Sequence, residues 1–181
     1  MSQTANPDSP TQPILVPVDF EPAARAALIF AARLAAGTET PLKVLHVVHE
    51  PADRPNYYQR NGEQDAVLPM MVVAERRLKK FLMDVYRDNP ALRVLETPDI
   101  LLVEGLPSTR IPEVAGRIAA GQIVMGHQKA RGVFPNLFAS LSERVADSCS
   151  IPVTVIYSNG KPEVAAMPPR KLMDDNVVLG A

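Results

Sequence analysis

Ile14-Leu15-Val16-Pro17-Val18-Asp19 is a short run of aliphatic, largely β-branched residues closed by a carboxylate. A run of this kind bounded by turn formers reads as a strand buried on both faces. Pro17 has no amide hydrogen to give to a ladder, so irregularity is expected near the strand's end. Glu21-Pro22 then reads as a helix start, because proline is tolerated in the first turn. Ala24, Ala27, Leu28, Ala31, Leu34 and Ala35 recur behind it at helical spacing, with Gly37 as the expected stop.

The alternation continues down the chain. Leu42–Val48 (LKVLHVV) reads as a second strand, and Glu50–Gln64, polar and proline-punctuated, as a mobile loop. Met71, Ala74, Leu78, Phe81, Leu82 and Val85 form a helical stripe opposite Glu75, Arg76, Lys79, Lys80 and Asp84, ended by Asn89-Pro90. Leu92–Leu95 and Ile100–Glu104 are strand-like. Gly105-Leu106-Pro107 turns into a helix with Ile111, Val114, Ala115 and Ile118 on one face. Gln122–Met125 as a strand, Asn136–Ser148 as a helix and Pro152–Ile156 as a strand complete the series. Such alternation implies right-handed crossovers. The expected fold is α/β, an open five-stranded parallel sheet with helices on both faces. Residues 13–157 form the domain, 1–12 a disordered N-terminal segment and 158–181 a flexible tail.

Composition narrows the function. Lys and Arg number 19 and Asp and Glu 20, for a net charge of −1, whereas a chain built to grip nucleic acid carries a basic excess. No apolar run approaches bilayer length, and the first thirteen residues are polar and Pro-rich, unlike a signal peptide, so a cytoplasmic location is expected. His46, His49 and His127 lack the paired spacing of a zinc site. The single cysteine, Cys149, has no basic neighbour in sequence to activate it and reads as structural.

Ligands of open parallel sheets bind beyond the carboxyl ends of the strands, where the strand order reverses. Pro17-Val18-Asp19, His46-Val47-Val48 and the segment from Gly126 to Ser140 should gather there. At these positions the chain resembles the universal stress protein family. Ile14–Asp19 with its Ala-rich helix, Leu45–Val48, Val103-Glu-Gly105, Ile123–Gly126, Ala139–Val145 and Ile151–Val155 match that family's motifs in order, over about residues 13–157.

The nucleotide-binding branch of that family carries G-x2-G-x9-G-[ST] after the fourth strand. In this frame the chain has Gly126, Lys129, Ala139 and Ser140, so the first glycine and the hydroxyl match and the other two glycines do not. Two consequences stay open. A Cβ at 129 or 139 obstructs backbone approach to phosphate, or disfavours a positive φ, and weakens or abolishes ATP binding. Alternatively, Lys129 and Arg131 replace backbone donors with charged side chains, and Gly132 restores flexibility. The resemblance also implies that Asp19 lies by adenine and ribose and that Val47 borders adenine. The nucleotide-binding set, if retained, is Pro17, Val18, Asp19, Val47, Gly126, His127, Lys129, Arg131, Ser140, Leu141 and Ser142, with ATP or AMP as the ligand. It further implies a homodimer seamed along the last strand, at Val153, Thr154, Val155 and Ile156. No acidic pair or Gly-Lys-Ser/Thr loop accompanies the Gly126–Ser140 segment, so the expectation is a regulatory binding module without catalytic residues or metal. A slow ATP hydrolase is the rival.

Overall fold

A computed structural model describes residues 11–49, 69–127 and 140–164. The loop expected at Glu50–Gln64, the segment 1–10, Lys129, Arg131, Gly132 and Ala139 lie outside these residues. The strands are β1 (Ile14–Pro17), β2 (Leu42–Val48), β3 (Asp99–Glu104), β4 (Gln122–Gly126), β5 (Val153–Ile156) and β6 (Pro162–Val164). The helices are α1 (Pro22–Thr38), α2 (Met70–Asp88), α3 (Pro107–Arg117) and α4 (Leu141–Ser148). The sheet runs β3-β2-β1-β4-β5-β6. Its first five members are parallel, as expected, and β6 adds an antiparallel edge. The order reverses between β1 and β4. That is where a ligand corner belongs.

Both faces are covered, which is why the strands lack a polar alternation. Ile14, Val16, Val18, Val44, Val124 and Ile156 pack against α1 and α2. Leu15, Leu45, Val47, Ile123, Met125, Val153 and Val155 pack against α3 and α4. Burying each of these side chains contributes roughly 1.5–3 kcal/mol. The buried stripe of α1 is nearly all alanine, so this helix lies close against the sheet.

Pro17 shows how the strand absorbs its missing donor. The Val18 N–H donates to the Leu45 carbonyl at 2.8 Å, which turns Val16 and Val18 toward β2 and Pro17 toward β4. Pairing of β1 with β4 already stops at Leu15, so no ladder bond is lost there.

Four local expectations differ from the structure. Arg93–Leu95 is a turn of 3-10 helix rather than a strand, because the Leu95 and Glu96 amides bond back three residues and Leu95 docks beneath α1 and α2. The first helix passes Gly37 and stops at Glu39, which takes the left-handed conformation with φ 52°. The last helix begins at Leu141, with Ser140 extended as its N-cap. Finally, part of the segment expected as a loose tail forms β6. Asn159-Gly160 is the reason: Gly160 has φ 76°, its N–H reaches the Tyr157 carbonyl at 2.8 Å, and the Asn159 side chain accepts from the Lys161 N–H at 3.0 Å. A turn followed by a left-handed glycine is a standard closure for a three-residue hairpin loop.

Candidate functional site at the strand-order switch

The corner is built from the ends of β1, β2 and β4 and the start of α4. Gly126 closes β4, and a Cβ placed on it would stand 2.5 Å from the Ala23 carbonyl carbon and 2.6 Å from the Ala24 nitrogen. The glycine is therefore required by the close approach of β4 to the first turn of α1. Its match to the family's first phosphate-loop glycine has a packing cause that operates whether or not nucleotide binds.

Asp19 follows β1 and is exposed; one of its carboxylate oxygens accepts the Glu21 N–H at 3.2 Å. The bend that carries it is held by Phe20, whose φ of 67° is unusual for a residue with a side chain. Phe20 stacks 4.4 Å from the His46 ring and meets Phe81 edge-on at 5.7 Å, while the Arg77 guanidinium lies 5.0 Å over its ring. His46 is buried, with Nδ1 2.7 Å from the Val18 carbonyl, so Nδ1 carries the proton. Burial pushes the His46 imidazole down to about 4 despite that hydrogen bond, with His49 and Arg77 adding to the shift. This cluster of rings on the α2 side, with the Arg77 cation above it, fixes the direction in which β1 delivers Asp19.

On the other flank stands a small polar group. His127 donates its N–H to the Ile156 carbonyl at 2.8 Å, and its Nδ1 lies 3.3 Å from the Ser142 hydroxyl. Ser142 in turn is 3.0 Å from the Ser140 hydroxyl, and the His127 ring lies 4.9 Å from that of Tyr157. Ser140 and Glu143 form a capping box: the Ser140 Oγ accepts the Glu143 N–H at 3.3 Å, and the Glu143 carboxylate accepts the Ser140 N–H at 2.6 Å. The Ser140 amide and hydroxyl hold the Glu143 carboxyl below its usual range, with His127 assisting. A carboxylate thus already engages the Ser140 amide at this helix start.

The predicted residues divide accordingly. His127, Ser140 and Ser142 come together in one hydrogen-bonded group, and Gly126 adjoins it in the chain. Pro17, Val18 and Val47 are buried, Val18 toward α1 and α2 and Val47 toward α3 and α4, so a ligand at the rim would meet mainly their backbone. Leu141 packs against the α3–α4 core. Of the expected seam, Val153 and Val155 enter one core and Ile156 the other, while Thr154 accepts from Gln122 at 2.6 Å. The sequence reading missed Glu143 and Tyr157. Glu143 had a signal, the S-x-x-E spacing from Ser140; Tyr157 had none. Cys149 is half-buried, donates to the Val145 carbonyl at 3.2 Å, and has its thiol pushed up by burial. Among the described residues no three potential metal ligands gather, and no helix is long and apolar enough to cross a membrane.

A parallel sheet whose strand order reverses between β1 and β4, covered by helices on both faces, defines an open, doubly wound α/β protein. Comparison with known proteins makes the class specific: the model of the universal stress protein family matches residues 10–157, and the chain belongs to that family. Among solved structures, a universal stress protein in complex with cAMP superposes with a TM-score of 0.56 at 18% identity, over 83% of this chain and 99% of that one. A family member from Burkholderia pseudomallei gives 0.54 at 24%, over 83% and 98%. The Archaeoglobus fulgidus protein in complex with dAMP gives 0.50 at 20%, over 81% and 98%. No curated protein matches the chain.

Proposed function

We propose that the chain is a regulatory, non-catalytic stress-response module whose corner holds adenine nucleotides weakly, and triphosphates least of all. The Glu143 carboxylate supports this reading most directly, because it sits on the Ser140 amide that a phosphate oxygen would need. A bound phosphate would have to displace that carboxylate or tolerate its charge. Lys129 and Ala139, where the nucleotide-binding branch has glycine, point the same way. Activity would come from altered contacts with a regulatory protein partner in the cytoplasm, with no bond broken.

Calorimetric titration with ATP, ADP, AMP and cAMP tests this. The expected result is binding on the order of millimolar or weaker, with ATP no tighter than AMP. Micromolar ATP binding that disappears in Ser140→Ala would overturn it. A second reading draws on the relatives solved with cAMP and dAMP. In it Asp19 and the Val47 backbone hold adenosine, Lys129, Arg131 and Ser140 hold the phosphates, and ATP is slowly hydrolysed. Tight ATP binding lost in Lys129→Ala, together with steady phosphate release, would favour that alternative.

A further inference from the structure

The hydroxyl groups at the corner form a chain that ends on an imidazole. The His127 Nδ1 lies 3.3 Å from the Ser142 Oγ, and that oxygen lies 3.0 Å from the Ser140 Oγ. Ser142 is only 3% exposed, so its hydroxyl is served by these two neighbours. The Ser140 Oγ also accepts the Glu143 N–H at 3.3 Å. Each serine has a single hydrogen to give and lone pairs that accept. Neither therefore sets its own direction. The imidazole at the end of the chain does.

Two arrangements satisfy the chain. With Nδ1 bare, Ser142 donates to it, Ser140 donates to Ser142, and the Ser140 hydrogen is spent inward. This flank of the corner then meets a ligand with acceptors, namely the remaining Ser140 lone pair and the Glu143 carboxylate that already holds the Ser140 N–H. With Nδ1 protonated, the order reverses: Nδ1 donates to Ser142 and Ser142 donates to Ser140. The Ser140 Oγ then accepts from both Ser142 and the Glu143 N–H, and its own hydrogen turns out toward the ligand. A mixed order leaves two hydroxyl oxygens 3.0 Å apart with no hydrogen between them, or a buried hydrogen without an acceptor. Either is costly in a buried site.

His127 is fixed well enough to impose this order. Its main-chain N–H donates to the Ile156 carbonyl at 2.8 Å, and its ring rests 4.9 Å from that of Tyr157. Among the described residues, the titratable groups that face it are Glu143 from α4 and Tyr157 just past β5, and His127 helps hold the Glu143 carboxyl below its usual range. We propose, resting on the nucleotide reading above, that His127 is a positioning residue: through Ser142 it sets the direction of the Ser140 hydroxyl, and with it whether the corner meets a ligand as acceptor or as donor. A protonated Nδ1 suits a phosphate monoester such as AMP, whose oxygens accept. A bare Nδ1 suits the hydroxyl groups of an unphosphorylated nucleoside. His127 does this without touching the ligand.

Nitrogen NMR of the His127 ring in the full chain, followed from pH 8 to pH 5, tests the relay without any ligand. Ser140→Gly keeps an acceptable N-cap but deletes the far hydroxyl, so a protonated Nδ1 leaves the Ser142 hydrogen without an acceptor. Nδ1 should then hold less proton than in the wild type at each intermediate pH, although residue 140 does not touch the ring. Coincident curves would overturn the inference, whatever nucleotides do. The consequence for ligands is read from AMP titrations at pH 8 and pH 6, the range in which imidazoles generally change charge. Ser142→Ala is the control, because it keeps His127 and Ser140 but cuts the link between them. On acidification the wild-type affinity should gain about fivefold relative to that variant, as expected for one added hydrogen bond, and adenosine should show no such gain. An equal response in the two proteins would mean that His127 acts on phosphate by charge alone, which would also overturn the inference. If no nucleotide binds either protein, the nucleotide reading falls and the ring signal alone decides the relay.

Discussion

At Gly126 the main chain of β4 meets that of α1, and the atoms a side chain would strike are backbone atoms that cannot rotate away. Gly126→Ala is therefore expected to destabilise the fold by about 1–3 kcal/mol, as other overpacked sites do, read from the midpoint of urea unfolding. An unchanged midpoint would mean that α1 is free to lift from the sheet. Glu143 supports a prediction of another kind. Glu143→Gln keeps an acceptor for the Ser140 N–H but removes the negative charge from the corner. A like charge near 4 Å costs about 1 kcal/mol in water, so AMP should bind about fivefold more tightly to the variant. If calorimetry gives equal or weaker binding, Glu143 does not oppose phosphate and the first functional reading loses its main support.

The ends of elements turn on single residues in the same way. Glu39 caps α1 in the left-handed conformation, with φ 52°, although glycine is the residue that adopts this conformation without steric cost. Glu39→Gly should stabilise the chain by about 0.5–1 kcal/mol by relieving that conformation, an increase visible in thermal unfolding. A decrease would show that the Glu39 side chain holds something the backbone does not reveal. This helix end also marks how far the sequence could be read. Apolar runs and helical stripes announced the five parallel strands and four helices, because burial on both faces leaves a strong pattern. Gly37 is the stop that residue type suggests, yet α1 runs on to Thr38 and turns left-handed at Glu39. Leu92–Leu95 is apolar enough for a strand, yet its amides bond back to the preceding turn instead of a neighbouring strand. β6 escaped notice because three residues carry no periodicity, although Asn159-Gly160 announces a hairpin. At the corner, Ser140 and His127 were legible from the family motif. The bearing of Phe20 on His46 and of Tyr157 on His127 arises only from folding.

Over the whole molecule, a sheet packed on both faces leaves little room for a buried group to change its charge, and His46 is where that matters. Its ring packs against Phe20, donates to the Val18 carbonyl, and faces His49 from just past the end of β2 and Arg77 from α2. Desolvation, the main cause, and the two basic neighbours disfavour a second proton, lowering it from 6.5 to about 4. Between those values the unfolded chain takes up a proton that the folded chain refuses. Stability therefore rises with pH across that window and falls on acidification. Above pH 6.5 the effect vanishes. Near pH 4 it reaches about 3 kcal/mol, a large share of the usual stability of a domain. Asp84, Glu113 and Glu143, each held below its usual range by a hydrogen-bonded partner, add their losses only lower, in the carboxylate range. Urea midpoints taken at pH 7, 6 and 5 should decline steadily for the wild-type chain. His46→Leu leaves the Val18 carbonyl without its donor and lowers the overall level, so the diagnostic quantity is the slope, which should flatten. A slope as steep as the wild type's would assign the acid sensitivity to another group and leave His46 a packing residue only.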